Sequence, residues 1–235
     1  MRKSIANIIC WFIPFKRLRK RVRLGLSLPI RKYVRFVKSF SSSKHPNIKV
    51  VYGYRCRNLV VILDDKYVFK FPRGNSNGWE ISEREKRITD ALRPVSPIKI
   101  PQMDIFDCDG VAVRRYEYVA GTGFNSLDDA TQVKHTKKIA KQVAKFLYVV
   151  GKSDQTAIRD LKPQGAKRPS MMYGWNQNDL WDNFLLNPKT FDVVASIDWE
   201  DAIYGSFKRY FTSGTHNKIT KDALLREYMK YYAKK

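Results

Sequence analysis

The stretch Asn176–Ala202, NQNDLWDNFLLNPKTFDVVASIDWEDA, constrains this chain more than any other. Two short apolar and β-branched runs, FLL and VVASI, flank NPKT, which has proline at its second position and reads as a turn. The segment predicts a tight hairpin, entered through a loop carrying Asp179, Asp182 and Asn183 and left through a strand ending in Asp198. A hairpin this short returns its two ends to one place, so Asp179 and Asn183 should lie beside Asp198. Carboxylates and an amide oxygen gathered on strand ends can hold Mg²⁺ and orient a hydroxyl toward a phosphate. Taken alone, the same residues also read as turn formers, because Asp and Asn side chains hydrogen-bond their own backbone.

Upstream, strand and helix signals alternate. IKVVYGY, RNLVVILDD and KYVFKFP, separated by Gly53 and the turn Asp64-Asp65-Lys66, predict three antiparallel strands in a meander. Lys70 lies in the third, between Phe69 and Phe71. If those rings flank a solvent face, Lys70 points the other way, toward whatever the sheet covers. A lysine in an apolar strand also reads as a snorkelling surface residue. Residues 79–92, WEISEREKRITDAL, predict a helix burying Ile81, Ile88 and Leu92, with Glu85 bordering that face and able to reach back to Lys70. A proline-rich connector, PVSPIKIPQM, leads to a hairpin turning at Asp109-Gly110, whose second strand runs into Glu117-Tyr118-Val119-Ala120-Gly121. Thr131–Val150 reads as a long amphipathic helix and residues 151–175 as an irregular basic loop. The residues after Ala202 read as one or two helices turning Leu224, Leu225, Tyr228 and Tyr231 inward.

Charge is extreme and uneven. Against 22 acidic residues stand 45 basic ones, and residues 1–45 hold thirteen Lys and Arg with no acid. An anionic partner follows: nucleic acid, an anionic membrane surface or a phosphorylated substrate. Ile5–Phe15 is apolar but too short to span a bilayer, which needs about 20 residues. On a helix, Ile5, Ile8, Ile9, Phe12 and Ile13 share one face, and the cluster Lys16–Arg23 follows at once. An apolar wedge beside a polybasic patch predicts binding at an anionic membrane surface. The same pattern also fits a helix packed on the protein's own body. Nucleic-acid binding is not expected, because it calls for aromatics interleaved with a basic stripe across the folded body. Segment 29–45 continues basic and runs into serines that read as a linker. Cys10, Cys56 and Cys108 are widely spaced and read as free thiols of a reducing compartment.

The order of these pieces resembles the aminoglycoside phosphotransferase, choline kinase and lipopolysaccharide kinase branch of the protein-kinase-like fold, over roughly residues 48–204. VFKFP is similar to its phosphate-binding strand, EREKRITDAL to its glutamate helix, RRYEYVAG to its hinge, QNDLWDN to its catalytic loop and SIDWEDA to its metal-binding segment. The resemblance implies an α+β, two-lobed fold: an antiparallel-sheet N-lobe (46–120) and a short, mainly helical C-lobe (121–235), preceded by the basic amphipathic segment 1–45. It implies that Lys70, Glu85 and the hinge residues Glu117 and Val119 bind ATP, that Asp179 is the base, and that Asn183 and Asp198 hold Mg²⁺. There are departures. Gln177 stands where the family has His, and Asp179 precedes Asn183 by four positions where the family has five. One alignment keeps Asp179 as base; the other puts Asn178 there and leaves the site weak or dead. Arg159-Asp160-Leu161 also looks like a catalytic loop, but Gly165 stands where its Asn should be. The implied activity is transfer of a phosphoryl group from ATP to a hydroxyl of an envelope or lipid-linked sugar, at the inner face of a bacterial membrane. The alternative is a membrane-associated adaptor that keeps the fold without the chemistry.

Overall fold

The computed structural model describes residues 28–51, 58–72, 78–165, 173–177, 181–208, 210, 218–231 and 233. The expected wedge at Ile5–Phe15 and the expected base Asp179 lie outside them. The chain forms two compact units, one of residues 1–78 and 106–115, the other of residues 79–105 and 116–235.

The first unit is built on the predicted meander. Strands β1 (Ile48–Val51), β2 (Asn58–Leu63) and β3 (Tyr67–Pro72) pair antiparallel, Val51 opposite Val60 and Val60 opposite Lys70. Strands β4 (Met103–Cys108) and β5 (Val111–Glu117) complete a five-stranded sheet in the order β1-β2-β3-β5-β4. Asp64 and Asp65 both take positive φ, as do Asp109 and Gly110. Paired left-handed residues are what a two-residue turn needs to follow the right-handed twist of its strands, and Asp and Gly tolerate them.

The period of two sends Leu59, Val61, Leu63, Phe69 and Phe71 to one face, all buried. That face is not solvent-exposed, as the sequence reading allowed; a helix covers it. Residues 29–45, read as a basic extension and linker, begin with helix α1 (Leu28–Lys38). Its Ile30 and Val37 are buried, and Tyr33 stacks on Phe71 at 4.2 Å. Burying each of these apolar side chains stabilises by roughly 2 kcal/mol, enough to hold a helix this short in place. The serine segment is also fixed: Ser41 Oγ and the Asn47 amide both donate to the Asp64 carboxylate, at 2.8 and 2.7 Å.

The second unit centres on α3 (Asp129–Lys152), following α2 (Trp79–Leu92). Asp128 caps α3, its carboxylate accepting from the Thr131 amide at 2.9 Å. One face of α3, including Ile139, Val143, Phe146, Leu147 and Val150, is buried with Trp175, Trp181, Trp199 and, from α4 (Lys218–Met229), Leu224 and Tyr228. Two inward assignments fail. Ile81 is 47% and Leu225 38% exposed, because α2 buries Ser82, Glu85 and Thr89 beside the expected Ile88 and Leu92, and α4 turns Leu224 and Tyr228 to the core. Strand β6 (Thr122–Gly123) pairs with β8 (Phe184–Leu186), and β8 with β9 (Val193–Ser196), as the hairpin signal predicts. Strands β7 (Tyr173–Asn176) and β10 (Ile203–Ser206) form a separate ribbon in segments read as loop and helix.

The tip of the β8–β9 hairpin is pinned to α3. Lys138 Nζ donates to the Thr190 carbonyl at 2.6 Å and to Asp192 at 2.7 Å, and Gln142 donates to the same carboxylate at 2.7 Å. Lys138 above all, then Thr190 and Gln142, draw the Asp192 carboxyl down from its ordinary 3.8 to about 2. A depressed carboxyl stabilises the fold above the unfolded value, and this contribution is lost as pH falls from about 4 through about 2. In acid titrations followed by thermal melting, Asp192→Asn is therefore expected to lose less stability than wild type across that window. Parallel curves would remove the assignment.

Candidate active site

The predicted meeting of Asn183 and Asp198 occurs. Phe184 pairs with Ser196, the Ile197 amide donates to the Asn183 carbonyl at 2.9 Å, and Asn183 Nδ2 reaches the Asp198 carbonyl at 3.4 Å. Asp198 is half-buried and takes φ +62°. An acidic residue tolerates that left-handed conformation better than most, which makes it a bend that re-aims the chain as β9 ends.

Helix α2 holds that bend. Glu85 is wholly buried, and its Oε1 accepts the Trp199 backbone N–H at 3.1 Å. Arg84, its neighbour, donates to the Glu200 carbonyl at 3.5 Å and to the Ala202 carbonyl, and lies 5.4 Å over the Trp175 ring. Trp199 is itself buried, its indole N–H donating to Ser196 Oγ at 3.2 Å. Residues 198–202 are thus fixed on both sides of the bend, Asp198 following β9 and Trp199 bonded to the helix.

Gln177, at the family's histidine position, is buried. Its amide donates to the Ile197 carbonyl at 2.6 Å and to Ser196 Oγ at 2.9 Å. The Tyr210 hydroxyl donates to Asn176 Oδ1 at 2.7 Å and also approaches the Gln177 carbonyl. Gln177 is therefore tied to the backbone just ahead of Asp198, and Tyr210 to the adjacent Asn176. The sequence reading missed the anchors Gln177, Tyr210, Trp199 and Arg84; only the position of Gln177 in the motif pointed to one of them.

Glu117 ends β5. Its amide donates to the Gln102 carbonyl at 3.4 Å and its exposed carboxylate pairs with Lys99 at 2.5 Å. Lys99, in the proline-rich connector, bridges to Ala195, and its carbonyl accepts from the Ser196 amide at 2.8 Å. The half-buried Val119 lies in the irregular stretch that follows. Two residues on, a β-carbon at Gly121 would meet Leu185 Cβ at 2.8 Å and the Leu186 carbonyl at 3.1 Å, so glycine is what lets this stretch approach β8. Lys70 belongs to the first unit, half-buried on the sheet face opposite Phe69 and Phe71. Arg159-Asp160-Leu161 builds no site: Asp160 forms a two-pronged exposed pair with Arg87, at 2.6 and 2.8 Å, which holds its carboxyl below the usual range.

The site's donors are hard oxygens. Among the described residues no three His, Cys, Asp or Glu side chains cluster. The Asn183 amide and the Asp198 carboxylate nonetheless fit Mg²⁺, which takes one or two protein carboxylates and completes its shell with water and phosphate.

No protein-family profile and no curated protein matches the sequence. Solved structures do match. The GDP complex of aminoglycoside 2'-phosphotransferase-IIIa aligns over 86% of this chain and 83% of its own, at TM-score 0.67 and 15% identity. The chain has the fold of these phosphotransferases. The streptomycin–ATP complex of APH(2")-IIa aligns over 87% and 85%, at TM-score 0.60 and 13% identity. Macrolide 2'-phosphotransferase MphH from Brachybacterium faecium aligns over 86% and 83%, at TM-score 0.57 and 13% identity. The α+β reading holds, with its sheet-built and mainly helical parts.

Proposed function

We propose that this protein is an ATP- and Mg²⁺-dependent phosphotransferase acting on a hydroxyl of a sugar-containing acceptor. One observation carries the reading: the buried Glu85 carboxylate holds the backbone beside Asp198, while Asn183 stands next to Asp198 at the open end of the same hairpin. A buried carboxylate is costly unless it is used, and here it fixes a bend that delivers a second carboxylate. Of the fold's neighbours, aminoglycoside 2'-phosphotransferase-IIIa binds GDP, and APH(2")-IIa binds ATP and streptomycin.

In this reading Asn183 and Asp198 would hold Mg²⁺, which would supply positive charge against the transferring phosphate. Lys70 meets the α- and β-phosphates, with Glu85 as its partner, and the backbone at Glu117 and Val119 receives the base. Asp179 accepts the hydroxyl proton as the acceptor oxygen bonds the γ-phosphorus and the bond to ADP breaks. Gln177 and Tyr210 hold the backbone that precedes Asp179 in the chain.

The acceptor is proposed to be an anionic, lipid-linked or envelope sugar met at a membrane surface. The support is the acid-free segment 1–45 and the exposed basic face of α1, formed by Arg31, Lys32, Arg35 and Lys38. No helix among the described residues is long and apolar enough to cross a membrane.

The test is thermal stability with ATP, with and without Mg²⁺. Occupancy at about 100 times Kd stabilises by roughly 2.7 kcal/mol, a clear shift in midpoint. Deleting residues 1–24 is expected to keep that shift and to abolish sedimentation with anionic vesicles. No Mg²⁺-dependent shift would favour the adaptor reading; unchanged sedimentation would remove the membrane anchor.

A further inference from the structure

The second unit has a basic cavity of about 620 Å³ between α3 and α4, lined by Lys134, Lys137, Lys138, Lys141 and Lys230, with Glu227 and Tyr231. On α3 the four lysines stand at i, i+3, i+4 and i+7, one face over two turns. Like charges at these spacings repel and weaken a helix, so an arrangement of this kind is not the helix's own preference. Two of the five are neutralised internally: Lys138 by Asp192 and Lys230 by Glu227, at 2.7 and 2.6 Å. Lys134, Lys137 and Lys141 make no ion pair among the described residues. Three unneutralised ammoniums therefore face a concavity large enough for a small molecule.

Its place in the fold separates it from the site described above. Lys138 is bonded to Thr190 and Asp192 at the tip of the β8–β9 hairpin, whereas Asn183 and Asp198 stand at the hairpin's open end. The strands between keep the two ends roughly 10 Å or more apart. A ligand here does not share the Asn183–Asp198 donors.

We infer that this cavity binds a ligand bearing two or more closely spaced phosphates. Ammonium groups suit phosphate as mobile point charges with three donors each, and three of them match a multivalent anion better than a single carboxylate. Both a soluble oligophosphate and the headgroups of anionic lipids present that chemistry. The inference is independent of the transfer reaction proposed above.

The experiment is lysine acetylation of the full chain, read by peptide mass spectrometry, with tripolyphosphate in one arm and vesicles of phosphatidylcholine and phosphatidylglycerol in the other. Lys134, Lys137 and Lys141 are expected to be protected several-fold more than Lys66, which lies in the turn between β2 and β3. Protection by tripolyphosphate assigns a soluble phosphate, and protection by vesicles alone assigns lipid headgroups. Each basic residue near an anionic surface contributes about fivefold, so in the protecting arm the variant K134Q/K137Q/K141Q should lose affinity on the order of 100-fold at that cavity. Its melting midpoint should not fall, since three repelling charges are removed. Protection no greater than at Lys66 in both arms, or a folded variant that leaves affinity unchanged, would overturn the inference.

Discussion

Replacing Asp198 with alanine is expected to lower phosphoryl transfer on the order of 10³-fold or more, with the protein still folded. The Asp198 carboxylate follows β9 at the open end of the hairpin, where Asn183 Nδ2 reaches the Asp198 carbonyl, and neither Trp199 nor Asn183 carries a negative charge. Alanine tolerates φ +62° less well than aspartate, which adds a cost of about 1 kcal/mol unrelated to chemistry. Asp198→Asn separates the two effects. Asparagine accepts the left-handed conformation and keeps an oxygen donor, but carries no charge. Both variants should lose the Mg²⁺-dependent thermal shift and turnover, and only the alanine should melt lower for reasons of backbone strain. An asparagine variant that keeps most of its activity would show that the charge of Asp198 is not what the site uses.

Replacing Glu85 is expected to have the largest effect on stability. Glu85→Ala removes the acceptor of the Trp199 amide and opens a void in a wholly buried site. A buried N–H left without a partner costs about 1–3 kcal/mol, and the void adds to it, so a loss of roughly 3 kcal/mol or more is expected by denaturant unfolding. Glu85→Gln keeps an oxygen for Trp199 and fills the same space. It should recover most of the stability yet remain slow in transfer if Glu85 has the nucleotide-binding role proposed above, because the negative charge is gone. If Gln restored both stability and rate, Glu85 would be a structural residue only.

The two units differ in how far they could be read from the chain. The meander of β1–β3 was legible because alternating apolar residues and Asp-rich turns act over short range. The hairpin that joins Asn183 to Asp198 was legible for the same reason: an apolar run, a turn and a β-branched run decide it locally. Helix α2 was found with its full span, Trp79–Leu92, and with Ile88 and Leu92 buried, yet Ile81 was wrongly placed inside and Glu85 only at the border. Ile81 is the more apolar residue, but Glu85 is the one with a partner waiting for it at Trp199, and that partner lies 114 positions away. Sequence pattern ranks residues by hydrophobicity; it has no access to a distant amide.

By itself the sequence determined the local pieces: strand alternation, the turns at Asp64-Asp65 and Asp109-Gly110, the α3 periodicity, and the spacing that closes Asn183 onto Asp198. Only the tertiary structure decided what those pieces bury and hold. It turned a basic segment into α1 by giving Ile30, Tyr33 and Val37 an aromatic sheet to cover, bonded Gln177 to Ile197 and Tyr210 to Asn176, and paired β7 with β10. It also gave Asp160 an arginine partner, so that a catalytic-looking triplet became a surface ion pair. The physical reason is range. Backbone propensity and periodicity act between near neighbours, whereas burial, hydrogen-bond satisfaction and charge pairing depend on groups that only folding brings together.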